Sequence, residues 1–244
     1  MKKIFFLLGL LVFINSLAQA DLHFLETKII RSQSGQEKQE REYWLRKNLL
    51  RIELKGGSWI YFYNLHTNCL ALLNQEKKEF YFLDWRELNK KLREINRAKE
   101  KILSGDEKEQ IEKYRNLLDP FGIDEIFWCS GAIRLGKKNV FKKINGLKAQ
   151  KAILFCKDEQ VAEIWINDEI GKIEEWVYFV QNLRWFAPAR ARMFSLLKGF
   201  PLLISGRDGL IEYQFRFISK EKIPLEVFLL PEDAHPAQSS SNLR

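Results

Sequence analysis

The chain has 244 residues, of which 46% are hydrophobic and 13% aromatic, and its formal net charge is +8. This composition can fill a sizeable core, which excludes a mainly disordered chain, and the length suits one large domain or two small ones. Acidic residues are interleaved with basic ones, so we interpret the charge excess as a solvated, mixed-charge surface. Nucleic-acid binding is not expected; peripheral contact with anionic lipid headgroups is the alternative.

Residues 1–20 have the pattern of a secretory signal peptide. Lys2 and Lys3 provide a positive start, an apolar run follows, and Ala18-Gln19-Ala20 provides a small-x-small cleavage site. The apolar run is short for a transmembrane helix. Asp21 rather than cysteine follows the expected cleavage site, so a lipid anchor is not indicated. We expect a cleaved, soluble, periplasmic protein, with an uncleaved N-terminal anchor as the alternative.

The region from residue 22 to residue 84 has apolar residues mainly at every second position, which is typical of β-strands. Because only short turns separate these strands, they are predicted to form an antiparallel meander rather than a parallel sheet. The predicted strands are 22–31, 40–46, 49–54, 58–64, 69–73 and 79–83. Alternation in the fourth strand places Trp59, Tyr61 and Tyr63 on one face and Ile60 and Phe62 on the other.

At Asp84 the spacing of apolar residues changes to three or four, which is typical of an amphipathic helix. Asp84 can cap this helix, residues 104–106 end it and begin a second one, and Pro120 stops the second helix. We therefore predict a helical insertion over residues 84–119. It forms either an independent hairpin or a lid whose apolar stripes pack on the sheet.

The second half of the chain returns to strand periodicity after Gly136. Asn145-Gly146 predicts a hairpin turn, and residues 173–197 have helical spacing with a break at Pro188. The predicted strands of this half are 138–144, 147–156, 160–166, 202–205, 210–219 and 225–230. We predict one α+β domain over residues 21–231 and a flexible tail over residues 232–244.

The cysteines and histidines do not indicate a catalytic or metal site. In an oxidising compartment, Cys129 and Cys156 are the favoured disulfide pair, because they lie in the same half of the chain, and Cys69 is left over. No C-x-x-C pair occurs, and the three histidines are scattered. G-x-S-x-G, H-E-x-x-H and glycine-rich phosphate loops are also absent from the sequence. We expect no metal, no cofactor and no enzymatic activity.

The order of elements and five short stretches resemble the outer-membrane lipoprotein-carrier family, which includes the Lol-type periplasmic carrier. The stretches are YWLRKNLL from Tyr43, WIYFYN from Trp59, ING from Ile144, EIWI from Glu163 and GFPL from Gly199. The resemblance implies a strongly curved antiparallel sheet, an open half-barrel of about ten or eleven strands covered by helices, with acyl chains held between the two. Two features depart from the carrier: no helix precedes the first strand, and Lys47 stands where the carrier has proline.

The resemblance also implies an apolar ligand site and a contact to the lid. Arg46 matches the arginine that bonds to the lid in the carrier, and Arg51 is the counterpart in uncharacterised relatives; a plain surface arginine is the alternative for both. The candidate cavity residues on the sheet are Ile60, Phe62, Phe80, Phe82, Tyr213, Phe215 and Phe217. The candidate cavity residues on the helical lid are Leu88, Leu92 and Ile95.

The predicted function is therefore that of a periplasmic, non-enzymatic carrier whose partner is a lipid or a lipoprotein acyl chain. An acyl chain gains about 0.8 kcal/mol for each methylene removed from water, which favours an apolar wall of this kind. The alternative is that the same aromatic side chains form a dry core. The protein would then be an interaction or sensor module that recognises another envelope protein through an exposed apolar patch or sheet edge.

Overall fold

The computed structural model describes residues 21–86, 90, 129, 131–182 and 188–237. Within these ranges, the fold is one large sheet of twelve strands with the order β12-β6-β5-β4-β3-β2-β1-β11-β10-β9-β8-β7. The strands are β1 (Leu22–Ser32), β2 (Gly35–Arg46), β3 (Leu49–Leu54), β4 (Trp59–Asn64), β5 (Cys69–Asn74), β6 (Glu79–Asp84), β7 (Ile133–Ile144), β8 (Leu147–Cys156), β9 (Glu159–Asn167), β10 (Phe200–Gly206), β11 (Ile211–Ser219) and β12 (His235–Pro236). The sheet is open, because β12 and β7 lie at its two ends.

The sheet is antiparallel except at one edge, which confirms the predicted sheet type. Strands β1 to β6 form a meander, and β7 to β9 form a second one. The two halves meet where β1 pairs with β11, with Lys28 opposite Tyr213. The only parallel neighbours among the described strands are β12 and β6. Asn145 and Gly146 have φ values of 50° and 80°, the left-handed conformation that a tight hairpin turn requires.

Two helices follow β9: α1 (Glu174–Asn182) and α2 (Pro188–Leu196). Their positions agree with the helical spacing and with the break predicted at Pro188, which is tolerated as the first residue of a helix. In the described ranges, neither helix has the length and apolar character needed to cross a membrane. Trp85, Arg86 and Lys90 are helical; the rest of the predicted insertion over 84–119 lies outside the described residues, as does the predicted signal peptide over 1–20.

The helix face of the sheet, which we define as the face that contacts α1 and α2, carries the main core. Trp176 of α1 is at its centre and is buried. Its ring lies 5.2 Å from those of Phe24 and Phe215, and 4.6 Å from that of Phe194 on α2. Aromatic side chains contribute large buried areas and further edge-to-face attraction. The helix layer is therefore packed directly on the central strands.

A disulfide joins Cys129 and Cys156, with a Cα–Cα distance of 5.8 Å. Cys156 is the last residue of β8, so the bridge attaches the chain before β7 to the end of the neighbouring strand. Cys69 is a free thiol at the start of β5.

The structure differs from the sequence prediction in one predicted strand and in the beginning of another. Residues 225–230, predicted as a strand, contain a 3₁₀ turn over Leu225–Phe228 instead. Pro224 and Pro231 flank this segment and lack the N–H groups that a strand ladder needs. Strand β7 begins at Ile133 rather than at residue 138. The prediction began too late because an irregularity in the pairing after Lys137 interrupts the alternation.

The predicted tail is attached to the sheet over part of its length. His235 and Pro236 pair with Glu79 and Phe80 of β6, and Ala237 is buried. Residues 238–244 lie outside the described residues.

Candidate ligand-binding groove

The outer face of the sheet, opposite the helices, carries a second apolar surface on β4, β5 and β6. Alternation places Ile60 and Phe62 there, while Tyr61 and Tyr63 contact the main core on the helix face, as predicted. Ala71 and Leu73 of the neighbouring strand complete a small buried cluster with Ile60 and Phe62, and Phe80, Leu230 and Ala234 pack against this cluster.

A C-terminal strap, which we define as residues 223–237, covers this outer surface. Its Ile223 N–H donates to a carboxylate oxygen of Asp21 at 2.7 Å. Farther along, the backbone N–H groups of His235 and Ala237 donate to the carbonyl oxygens of Lys78 and Phe80 at 2.9 and 3.0 Å. The strap is therefore attached to the sheet at both of its ends.

Two arginines hold the first part of the strap through its backbone. Arg46 donates to the carbonyl oxygen of Ile223 at 2.8 Å, and Arg51 donates to that of Val227 at 3.1 Å. The guanidinium of Arg51 also lies 4.9 Å from the ring of Trp44 and 5.7 Å from that of Phe62, within the range of cation–π attraction. Arg46 and Arg51, which the resemblance implies as contacts to a helical lid, thus contact the strap on the outer face.

Between the strap and the sheet lies the outer groove, with a volume of about 440 Å³. Its walls are mainly apolar, and the 3₁₀ turn forms one side of it. The lining residues are Leu49, Leu50, Phe62, Tyr63, Asn64, Thr67, Cys69, Ala71, Phe82, Leu225, Phe228, Leu229 and Leu230. The volume falls within the roughly 300–1,000 Å³ typical of small-molecule sites.

The polar groups of the groove are few and lie at its Asn64–Cys69 end. The side-chain oxygen of Asn64 accepts hydrogen bonds from the backbone N–H groups of His66 and Thr67 at 3.0 and 3.1 Å, so it shapes the β4–β5 turn. Burial, together with the negative charge of Asp84, raises the pKa of the Cys69 thiol, so this thiol is neutral at pH 7. The groove lining therefore presents little charge to a ligand.

The candidate cavity residues predicted from the sequence lie in two different places. Phe62 and Phe82 line the outer groove, and Ile60 and Phe80 belong to the cluster beside it. Tyr213 and Phe215, in contrast, belong to the main core on the helix face, and Phe217 of the same strand is partly buried. Leu88, Leu92 and Ile95 lie outside the described residues.

The helix face also contains a buried charged network, which was not predicted from the sequence. The carboxylate of Glu26 on β1 accepts hydrogen bonds from Arg41 at 2.6 Å, from the Tyr43 hydroxyl at 3.2 Å and from Arg190 of α2 at 3.2 Å. Burial works against the charge of Arg41, but the neighbouring Glu26 carboxylate keeps the pKa of Arg41 above its ordinary value. Glu26 therefore joins α2 electrostatically to the centre of the sheet.

The sequence contains only weak signals for the buried network around Glu26 and for the strap. Polar residues at alternate positions of β1 and β2 normally indicate a solvated face, and the partner Arg190 lies 164 residues from Glu26. The strap had one usable signal, the two prolines that flank an apolar run.

No family model and no curated protein sequence matches the chain. Among solved structures, the chain is similar to an uncharacterized conserved protein from Thermus thermophilus, with a TM-score of 0.40 and 10% identity over 88% of this chain and 90% of that chain. It is also similar to PNGF-II, with a TM-score of 0.36 and 7% identity over 92% of this chain but 33% of that chain.

A third similarity is to a putative outer membrane lipoprotein-sorting protein domain from Vibrio parahaemolyticus, with a TM-score of 0.27 and 8% identity over 88% of this chain and 92% of that chain. At these TM-scores, none of the three similarities carries an argument about function.

Proposed function

We propose that this protein is an exported, non-enzymatic binding protein that holds an acyl chain in the outer groove. The observation that supports this proposal is the groove itself, about 440 Å³ of mainly apolar space between the sheet and the strap. This volume corresponds to on the order of fifteen water-sized groups, which suits one extended hydrocarbon chain. Each methylene transferred from water contributes about 0.8 kcal/mol.

The position of the groove changes the proposed ligand site from the one that the resemblance implies. The aromatic side chains of the helix face are packed against Trp176, and α2 is attached there through Glu26. The strap, in contrast, is a single segment held by hydrogen bonds from Arg46 and Arg51 to its backbone, and by backbone bonds at its far end. We therefore assign to the strap the role of the cover over the ligand.

The proposal is tested with a substitution at the mouth of the groove and a matched control. Leu229 lines the groove and is 56% exposed, so Leu229→Glu places a charge beside the ligand without burying it in the core. Leu210, which is 49% exposed in the turn before β11, does not line the groove, and Leu210→Glu is the control. Binding of a fluorescent C16 fatty acid is measured by titration with each variant.

We expect Leu229→Glu to weaken fatty-acid binding about tenfold or more, because about two methylenes of contact are lost and a charge must be desolvated. Leu210→Glu is expected to bind as the wild type does. Extraction of the purified wild-type protein, followed by mass spectrometry, is expected to release lipid. Equal binding by the two variants would contradict the proposal.

The mass of the protein recovered after export tests whether the predicted signal peptide is cleaved, and a chain beginning at Asp21 is expected.

A second candidate function is recognition of another envelope protein. Phe82, Leu225 and Leu229 are each about half exposed at the mouth of the groove, and such side chains can receive an apolar side chain of a partner. The lipid extraction separates the two functions, because a protein that only binds a partner is expected to release no lipid.

A further inference from the structure

One segment of the chain combines a high density of lysine with the absence of acidic residues. Residues 137–151 contain six lysines and no aspartate or glutamate. They form the end of β7, the Asn145-Gly146 turn and the first half of β8. We call this segment the basic hairpin. Strand β7 is also the last strand of the sheet, so the hairpin lies at an open edge of the molecule.

Carboxylates neutralise only part of this charge. Lys137 pairs with Asp168 at 3.0 Å, and Lys151 pairs with Glu163 at 2.5 Å, both from the side of β9. The remaining lysines have exposed side chains and no ion-pair partner among the residues that the structure describes, although the ammonium of Lys142 lies 4.0 Å from the ring of Trp165 on β9. They are Lys138, Lys142, Lys143 and Lys148.

The basic hairpin also exposes apolar side chains. Val140 and Phe141 are each 49% exposed. They lie where the pairing of β7 with β8 is irregular, and the Gln150 side chain braces this irregularity by donating to the carbonyl oxygen of Lys138 at 2.9 Å. The ammonium of Lys148 lies 4.7 Å from the ring of Phe141. Apolar groups that protrude between cations are the arrangement that an anionic lipid interface binds.

We propose that the basic hairpin docks this protein on an anionic phospholipid surface. The lysine ammonium groups contact lipid phosphates, and Val140 and Phe141 enter the boundary between headgroups and acyl chains. Lysines on an edge strand also disfavour pairing with the edge of a second sheet. Phosphates of a nucleic acid would satisfy the lysines but would leave Val140 without an apolar partner, so the membrane is the better fit. This docking surface is separate from the outer groove and does not depend on the proposed function.

The test measures co-sedimentation of the protein with phospholipid vesicles. The protein is expressed from its full sequence, and the vesicles contain either phosphatidylcholine alone or phosphatidylcholine with phosphatidylglycerol. The test variant replaces Lys138, Lys142 and Lys143 with glutamine. The matched control replaces three exposed lysines outside the hairpin, Lys77, Lys220 and Lys222, so that both variants lose the same net charge.

The wild type is expected to bind the phosphatidylglycerol vesicles and to be released as salt is raised, because screening shortens the range of the attraction. Each lysine near an anionic surface raises the partition coefficient about fivefold. The hairpin variant is therefore expected to bind on the order of a hundredfold more weakly, and the control variant is expected to bind within a few fold of the wild type. Replacing Val140 and Phe141 with serine is expected to weaken the binding that remains at high salt.

Three results would overturn this inference: equal loss of binding in the two lysine variants, equal binding of the wild type to both kinds of vesicle, or displacement of the bound protein from the vesicles by a duplex oligonucleotide. Circular dichroism of each variant verifies that it is folded. The hairpin variant is expected to bind the fluorescent fatty acid as the wild type does, so failure of the docking surface is distinguishable from failure of the groove.

Discussion

Substitution of Glu26 by glutamine tests whether the helix layer is attached to the sheet by the buried network. Glu26 is 0% exposed, and its partners Arg41 and Arg190 are 1% and 2% exposed. Glutamine keeps the volume of the side chain but removes the negative charge, so it leaves two buried guanidinium groups without their shared carboxylate. Removing one partner of a buried ion pair costs about 3–5 kcal/mol. This is a large part of the roughly 5–15 kcal/mol by which a domain is stable.

The assay is urea unfolding at pH 7, followed by tryptophan fluorescence and far-ultraviolet circular dichroism. In urea, the expected loss of about 3–5 kcal/mol appears as a lower unfolding midpoint. On heating, the same loss corresponds to a lowering of Tm by roughly 6–20 °C for a protein of this size. The control is Glu40→Gln on β2, whose ion pair with Lys38 is partly exposed and is worth below about 1 kcal/mol. If Glu26→Gln costs no more than Glu40→Gln, the buried network does not stabilise the attachment of α2 to the sheet.

Three further predictions concern the disulfide, the groove and the strap. Reduction of the Cys129–Cys156 bridge, whose sequence separation is 27, is expected to lower the free energy of unfolding by about 3.5 kcal/mol in the loop-entropy model; equal urea midpoints with and without reductant would contradict this. Burial raises the pKa of the Cys69 thiol, so alkylation by iodoacetamide at pH 8 is expected to be slower than in urea-unfolded protein, and saturating fatty acid is expected to slow it further; an unchanged rate would place the ligand elsewhere. Arg51→Ala is expected to lower the free energy of unfolding by about 1.5–3 kcal/mol, because the charged hydrogen bond to the strap is lost. The control Arg207→Ala loses only an exposed ion pair with Glu159, which is worth below about 1 kcal/mol. Similar urea midpoints for the two variants would show that Arg51 does not hold the strap.

Local patterns in the sequence were sufficient to predict most of the sheet. The bounds of β3 (Leu49–Leu54) and β8 (Leu147–Cys156) are those expected from alternation and from the turns beside them. Alternation also separated the two faces of β4 correctly, because the side-chain period of a strand depends only on its own residues. Where pairing is irregular, as in β7 after Lys137, the same reasoning placed the beginning of the strand five residues late.

The candidate site could be predicted only in part, because it depends on how distant segments combine. Phe62 and Phe215 both lie on cleanly alternating strands, yet they face opposite sides of the sheet. The face that each strand presents is set by the register of the whole sheet, including the pairing of β1 with β11, and no local pattern encodes it. Residues 225–230 of the strap were predicted as a strand because their apolar composition resembles one, whereas the contacts of the strap with Arg46 and Arg51 decide its position.

The measurement that tests the central claim most directly is to locate a bound acyl chain. A C16 fatty acid that carries a photoreactive diazirine near its methyl end is bound to the protein and crosslinked, and the modified peptides are identified by mass spectrometry. We predict modification of β4, β5 and β6 and of residues 225–230, which line the outer groove. Modification confined to α1, α2 or Tyr213 would place the ligand on the helix face and contradict the assignment of the outer groove as the ligand site.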